Sequence, residues 1–319
     1  MSPQAAWREK RKVVAMKRNA APRAGVKVRK SREDRIFDFF LYALAGVIAL
    51  IVLYPMYFII IASFSDPLLV SRGEIFLIPR NVSLKAYRKI MEYEQLWVGY
   101  RNTIFYVVAG TLTTLAVNIP AAYALSRKRM YGRKLFHVFY LIPMFFSGGL
   151  IPTYLVIKGF SLLDTVWVMF VPFAVVTYYI IVARTFFDNS IPEDLWEAAQ
   201  LDGCGYIGFF FRITLPLSKA ILSVIALWTA VGQWNAYFNA LIYLRKPELQ
   251  PLQIVLRNIL IVNKNMGNML TGMAGQEAKA LADLIKYAVI VVSSAPIMCM
   301  YPFVQKYFNQ GVMLGSLKG

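Results

Sequence analysis

Cysteine and histidine are scarce in this chain. Its 319 residues include two cysteines, Cys204 and Cys299, and a single histidine, His137. Two cysteines cannot build a disulfide framework, and one histidine cannot supply the ligand set of a catalytic zinc ion. The G-x-x-x-x-G-K-[ST] loop that cradles nucleotide phosphates does not occur either. We therefore expect no metal site, no cofactor, no ATP hydrolysis and no other catalysis on this chain.

Apolar residues are abundant instead. They make up 58% of the chain, and the mean hydropathy is +0.51, which is more than a soluble domain of this length could bury. Apolar runs recur at the length with which an α-helix crosses the hydrocarbon core of about 30 Å. The pattern predicts an all-α, polytopic membrane protein with six transmembrane helices, at 36–64, 102–125, 134–157, 165–186, 218–243 and 284–304.

Positive charge marks the ends of these runs. The net charge is +18, residues 1–35 hold twelve lysines and arginines against three acids, and the loop 126–134 holds five basic residues. The positive-inside rule places both segments in the cytoplasm, and six crossings then put both termini there. We expect 1–35 to be a basic tail near anionic lipid headgroups, not a nucleic-acid-binding arm, because only Trp7 is interleaved with its charges. Residues 36–319 form the predicted membrane domain.

Helix-breaking residues interrupt several of the predicted spans. Pro120 lies in the second span, Pro172 in the fourth and Pro296 in the last, and the third contains Pro143 and the concentrated break 147–152. Broken backbone at membrane depth persists only where other protein or a water-filled path satisfies it. We expect 147–152 at a helix interface or on the translocation path, although close packing alone also explains its glycines. The segment 244–283 shows the spacing of an amphipathic element on the outer side.

The segment 188–217 predicts a helix-turn-helix on the cytoplasmic surface. Ser190 and Glu193 have the spacing of a capping box, and Pro192 suits a first helical turn. Asp202-Gly203 predicts the end of this helix. A second short helix is expected over 207–212, stopped by Leu215-Pro216.

These residues resemble the Glu-Ala-Ala loop of bacterial binding-protein-dependent ABC importers. In that pattern a glycine follows Glu-Ala-Ala, and Ile-x-Leu-Pro comes further on. Here Gly203 follows Ala199 by four residues. The matching residues are Glu197, Ala198, Ala199, Asp202, Gly203, Ile213, Leu215 and Pro216. The resemblance implies a type I ABC importer transmembrane domain whose loop 188–217 contacts a separate ATPase.

The resemblance extends over most of 36–319 and is closest to carbohydrate permeases of the maltose-permease type. Segments 148–154, 163–167 and 311–319 are similar to the branch that imports oligosaccharides and polysaccharide breakdown products. It implies a second homologous permease subunit, an ATPase dimer that carries ATP and magnesium, a solute-binding protein and a bacterial cytoplasmic membrane. It also implies that the 244–283 segment reaches toward the binding protein.

The fifth predicted span is rich in amide and aromatic side chains, which suit a neutral polar solute such as a sugar. These candidates for the translocation path are Gln233, Trp234, Asn235, Tyr237 and Asn239. Asn235 and Asn239 would share one helix face. The alternative is that these groups bond neighbouring helices or form an interfacial belt.

Two other functions stay open on the sequence. An ABC permease for peptides or another polar solute would have the same loop. An ion-driven secondary carrier normally needs carboxylates or histidines at membrane depth, and the centres of the predicted spans contain none.

Overall fold

The structure is a computed structural model that describes residues 31–269 and 272–316, and every regular element in these ranges is helical. Most of the predicted basic tail, residues 1–30, lies outside the described residues, as does the end of the C-terminal segment, 317–319. The α-helices are α1 (Arg32–Ser63), α2 (Pro67–Ser71), α3 (Lys85–Met91), α4 (Glu94–Ser126), α5 (Arg133–Phe145), α6 (Leu150–Gly159), α7 (Thr177–Ser190), α8 (Glu193–Leu201), α9 (Tyr206–Phe209), α10 (Leu215–Leu217), α11 (Lys219–Trp234), α12 (Tyr237–Tyr243), α13 (Leu252–Met269) and α14 (Gly272–Ser316).

Three helical segments in the described ranges are long and apolar enough to cross a membrane: α1, α4 and the part of α14 from Gly275 to Cys299. Two further pairs qualify only when joined across a bend, α5 with α6 at 116° and Tyr206–Leu217 with α11 at 79°. The all-α membrane fold is confirmed, but the count of six spans is not. Up to Met56, α1 is nearly all exposed, and the residues from Tyr57 onward form a separate compact unit.

The predicted fourth span, 165–186, is wrong as a continuous helix. A 3₁₀ turn covers Val166–Met169, irregular backbone follows, and α7 begins only at Thr177. Pro172 lies in this irregular stretch, where it has no N–H to donate to a helix. Neighbouring helices satisfy the freed backbone groups. The Asn118 amide of α4 donates to Ala174 O at 2.6 Å and accepts from Val176 N at 2.9 Å.

The third and fifth predicted spans are also broken, the third as predicted and the fifth not. The third breaks as predicted, between α5 and α6, where Gly149 has a φ of 80°. The fifth is not one helix over 218–243, because Asn235 ends α11 and its side chain bonds Val231 O at 2.9 Å. Such local side-chain bonds compete with helix continuation. Asn235 and Asn239 therefore lie on different helices, and the expectation that they share a face is wrong.

Helix α4 connects the two ends of the compact unit. Near its start, Asn102 donates to Glu248 O at 2.7 Å, and Tyr106 donates to Leu249 O at 2.8 Å. Near its end, Ala122 and Leu125 belong to the same hydrophobic cluster as α8. Twenty residues of helix separate Asn102 from Ala122, or about 30 Å. Segment 244–252 and the predicted cytoplasmic loop 188–217 thus lie one membrane thickness apart.

The predicted amphipathic segment on the 244–252 side is confirmed as α13. Its buried face packs against α4 and α14, and it consists of Leu252, Ile254, Val255, Leu256 and Ile259. Gly99 of α4 permits this approach, because a Cβ there would lie 3.1 Å from Leu252 Cα.

Candidate functional site

Helix α8 carries the Glu-Ala-Ala sequence. Pro192 is its N-cap and Ser190 still belongs to α7, so the predicted capping box does not form and no side chain caps the helix. The negative carboxylates of Glu193 and Asp194 in the first turn instead stabilise the helix, because they lie at the positive end of its dipole. The predicted end at Asp202-Gly203 is confirmed, and Gly203 has a φ of +77°, a conformation that glycine adopts without strain.

The helix-turn-helix has two arms, α8 and the helical segment that begins with α9. The helical backbone of this second arm runs further than the predicted 207–212. It continues from α9 through a π-helical turn, Phe210–Thr214, into α10 and ends at Ser218. Pro216 therefore does not stop it. A proline ring clashes with the carbonyl four residues earlier in an ordinary α-helix, and a wide π turn just before the proline relieves this clash.

Aromatic packing joins the two arms. The buried ring of Trp196 stacks on Tyr206 at 4.4 Å between centroids and meets Phe209 edge-on at 5.1 Å. Trp196 belongs to a cluster that includes residues of α4, α7 and α11, and Ala199, Ile213 and Leu215 pack on it as well. The arms and the membrane helices are thus one packed body.

The opposite face of these arms is open. Of the residues in the Glu-Ala-Ala pattern, Glu197, Ala198, Asp202, Gly203 and Pro216 are exposed, whereas Ala199 is turned inward. Two large apolar side chains beside them are exposed to an unusual degree, Leu201 at 90% and Ile207 at 75%. An exposed apolar patch with acidic neighbours is typical of a protein–protein contact.

The basic loop 126–134 lies at the same end as α8. Arg129 forms an ion pair with Glu197, with 3.5 Å between Nη2 and Oε1. Asp188 Oδ2 lies 3.6 Å from Arg133 Nη2 and 3.3 Å from Arg184 Nε. These contacts place the most basic short loop beside the Glu-Ala-Ala helix, as expected if both face the cytoplasm.

A cavity of about 270 Å³ opens where α11 and α12 meet. Three of the five predicted path residues, Gln233, Asn235 and Asn239, line it. Trp234 does not, because its ring is buried and its Nε1 donates to Ser293 O at 3.1 Å. Tyr237 does not line it either, and packs on another apolar cluster. We call this space the central cavity.

Sequence reasoning missed part of its wall. Tyr179 stacks on Trp228 at 5.7 Å, and Thr114 and Thr229 add hydroxyl groups. Tyr179 comes from the mispredicted fourth span, so no helical spacing could place it beside α11.

Gln233 is held in position at the edge of the central cavity. Its Nε2 donates to Met169 O at 3.2 Å, while its Oε1 is buried and accepts no hydrogen bond from a described residue. Gly110 makes room for it, since a Cβ there would lie 2.9 Å from Nε2.

A second space of about 190 Å³, the distal cleft, lies at the other end of α12. Its lining consists of Tyr154, Lys158, Leu163, Asp164, Ile242, Tyr243 and Arg245. Asp164 accepts from the backbone N–H groups of Arg245 and Lys246. The hydrogen bond from the backbone N–H of Arg245 is the main reason that the pKa of the Asp164 carboxyl lies below its usual value.

We call the exposed face of α8 and α9, with Leu201 and Ile207, the knob. A helical membrane body with such a surface at one end and a polar cavity inside is the arrangement expected of a permease. Residues 96–314 match the family described as binding-protein-dependent transport system inner membrane component, and the chain belongs to that family. It is 38% identical over 90% of its length to the whole polygalacturonan/rhamnogalacturonan transport system permease protein YtcP of Bacillus subtilis. It is also 37% identical over 91% of its length to protein LplC of the same organism, covering 97% of that relative.

A solved structure agrees. The chain matches a subunit of a bacterial ABC transporter involved in the import of the acidic polysaccharide alginate, with a TM-score of 0.79 and 35% identity, over 88% of this chain and 100% of that one. The expected membership in the ABC importer family is confirmed. The chain is a permease subunit in the inner membrane of an importer that uses a binding protein and a separate ATPase.

Proposed function

We propose that this chain moves an oligosaccharide derived from a complex polysaccharide across the bacterial cytoplasmic membrane, as one permease of an ATP-driven importer. The relatives named for polygalacturonan, rhamnogalacturonan and arabinooligosaccharide transport support this substrate class. The observation that carries the proposal is the exposed face of α8 and α9, a rigid apolar knob at the end where the basic loop lies.

The knob is the proposed contact for one subunit of an ATPase dimer. Leu201 and Ile207 would fill an apolar recess, and the exposed Glu197 and Asp202 would pair with basic groups around it. ATP and its magnesium ion would be bound by that partner. In this arrangement both termini and the loop 126–134 face the cytoplasm, and a second, homologous permease completes the translocation path.

The central cavity is the proposed part of the path on this chain. Its aromatic pair, Tyr179 and Trp228, offers flat faces to a sugar ring. Gln233, Asn235 and Asn239 offer amide groups to sugar hydroxyls. Closure of the ATPase dimer would draw the two knobs together and rock the helices between inward-open and outward-open states.

Uptake by the complete importer in proteoliposomes tests the proposal. We expect accumulation of an oligogalacturonide when ATP and the binding protein are present, and none when ATP is replaced by a non-hydrolysable analogue. Accumulation driven by a proton or sodium gradient without ATP would instead show a secondary carrier. Accumulation of a peptide, with no saccharide uptake, would assign the other ABC substrate class.

A further inference from the structure

Two cations in the distal cleft, Lys158 and Arg245, make no direct ion pair within the described part of the chain. The side chains of Lys158 and Arg245 are exposed, and neither makes an ion pair or a side-chain hydrogen bond to a described residue. Among the described residues that line the cleft, Asp164 is the one carboxylate; it accepts from two backbone N–H groups and partly offsets the charges of Arg245 and Lys246. Because Lys246 adjoins the cleft as well, the charge around this space is net positive.

Aromatic rings form the wall between the two cations. The rings of Tyr154 and Tyr243 stack with 6.1 Å between their centroids and 15° between their planes. Tyr243 contacts Phe173 at 6.0 Å, and Phe173 also lines the central cavity. On α12, Asn239 in the cavity and Tyr243 in the cleft are four residues apart and so lie on one face. The two spaces are therefore neighbours along one route.

The cleft lies at the end of the molecule that faces away from the knob. Asp164 N donates to Tyr243 O at 3.0 Å, which ties the cleft to the end of α12. A few residues after Arg245, the backbone carbonyls of Glu248 and Gln250 accept hydrogen bonds from Asn102 at the start of α4. This is the end that lies about 30 Å from the α8 cluster along α4. In the proposed topology, a solute handed over by a binding protein would reach the distal cleft before the central cavity.

We propose that the distal cleft is an entry site for acidic saccharides, in which Lys158 and Arg245 bind sugar carboxylates while Tyr154 and Tyr243 contact the rings. Arginine binds a carboxylate through two parallel hydrogen bonds, and a cleft lined by one sign of charge raises the local concentration of the opposite sign. The described residues that line the central cavity, by contrast, include amides and no charged group. Charge would thus be selected at the entry and hydroxyl pattern further in. This inference rests on the proposed function.

The test compares trigalacturonate with its methyl ester, which keeps the rings but removes the negative charges. Initial uptake rates are measured at subsaturating saccharide in proteoliposomes that contain the complete importer and its binding protein. The binding protein is the same throughout, so differences among permease variants report on this chain. The double variant Lys158→Gln/Arg245→Gln is expected to take up trigalacturonate about tenfold more slowly and the ester at an unchanged rate.

Two controls accompany it. Lys158→Arg/Arg245→Lys keeps both charges and is expected to keep the preference for the acid. Arg257→Gln removes an exposed cation of α13 outside the cleft and is expected to change neither rate. Equal loss of both saccharides in the double variant, or no loss of either, overturns the entry site but not the proposed function. If the wild-type importer takes up neither saccharide with ATP, both proposals fail.

Discussion

At the scale of single residues, the informative positions are polar side chains buried inside apolar helices. Asn118 is fully buried, and its one amide makes three hydrogen bonds, two of them to the broken backbone between the 3₁₀ turn and α7. The Gln233 amide likewise donates a hydrogen bond to Met169 O, at the end of the 3₁₀ turn. These side chains replace the helical hydrogen bonds that the irregular segment lacks, in a place where water cannot.

Replacement of Asn118 by leucine is therefore expected to destabilise the permease. The change leaves Ala174 C=O and Val176 N–H unpaired, and each buried unpaired group costs about 1–3 kcal/mol. Unfolding of the detergent-solubilised protein, followed by denaturant titration, would measure the loss. Thr113→Val is the control, because the Thr113 hydroxyl bonds only Ala109 O within α4 and its loss is expected to be nearly neutral. Equal stability of the Asn118→Leu protein and wild type would contradict this role.

At the scale of helices, the sequence predicted the break at 147–152 and the turn at Gly203, but not the break at Asn235 or how the broken ends are held. Pro120 and Pro296, predicted to interrupt spans, lie inside the continuous helices α4 and α14. Gly149, Pro172 and Gly203 each lie in the backbone between two elements, as local chemistry requires. Asn118, however, meets Ala174 from 56 residues away. No hydrophobic period records such a pairing, so 165–186 was predicted as one span. The length of the second arm was missed for a related reason, since a π turn accommodates Pro216 where an α-helix would end.

Replacement of Gly203 tests the turn between α8 and α9. With a φ of +77°, Gly203 adopts a left-handed backbone conformation. A residue with a Cβ atom in that conformation loses about 1–2 kcal/mol of stability, and a β-branched residue loses more. With Gly203→Val we expect uptake to fall about tenfold while the ATPase still hydrolyses ATP and the permease still inserts, because strain of that size shifts the turn's population about tenfold. Parallel assays of hydrolysis and uptake in proteoliposomes measure this uncoupling.

Gly205 provides the matched control for the turn. It has open space around its Cα and a φ of −80°, so Gly205→Ala should leave both uptake and hydrolysis unchanged. Full transport by the Gly203→Val protein would count against a role of this turn in coupling.

At the scale of the whole molecule, the long helix α4 relates two chemically different ends. One carries the basic loop and the knob, and the other carries segment 244–252 with the distal cleft. The positive-inside rule predicted this division from charge alone, and the ion pair between Arg129 and Glu197 agrees with it. The sidedness itself, with the knob in the cytoplasm, stays a prediction.

Thiol labelling tests the sidedness. In a background of Cys204→Ser and Cys299→Ser, single cysteines are introduced at two exposed positions, Lys128→Cys and Lys246→Cys. A maleimide that cannot cross membranes is expected to label the Lys246→Cys protein in intact cells and the Lys128→Cys protein only in inside-out vesicles. Labelling of both from one side, or the reverse order, would invert or abolish the proposed topology.

The bend at Ser218 gives the molecule a mechanical property. The arm Tyr206–Leu217 meets α11 at 79°, and the packing of Trp196 and Tyr206 keeps that arm in step with α8. The 16 residues of α11 extend about 24 Å from this corner, so a tilt of about 5° carries its far tip sideways by about 2 Å. If α11 pivots at this corner in the proposed transport cycle, a small displacement of the exposed face of α8 and α9 would be enlarged at the far tip of α11, where Gln233 borders the proposed path.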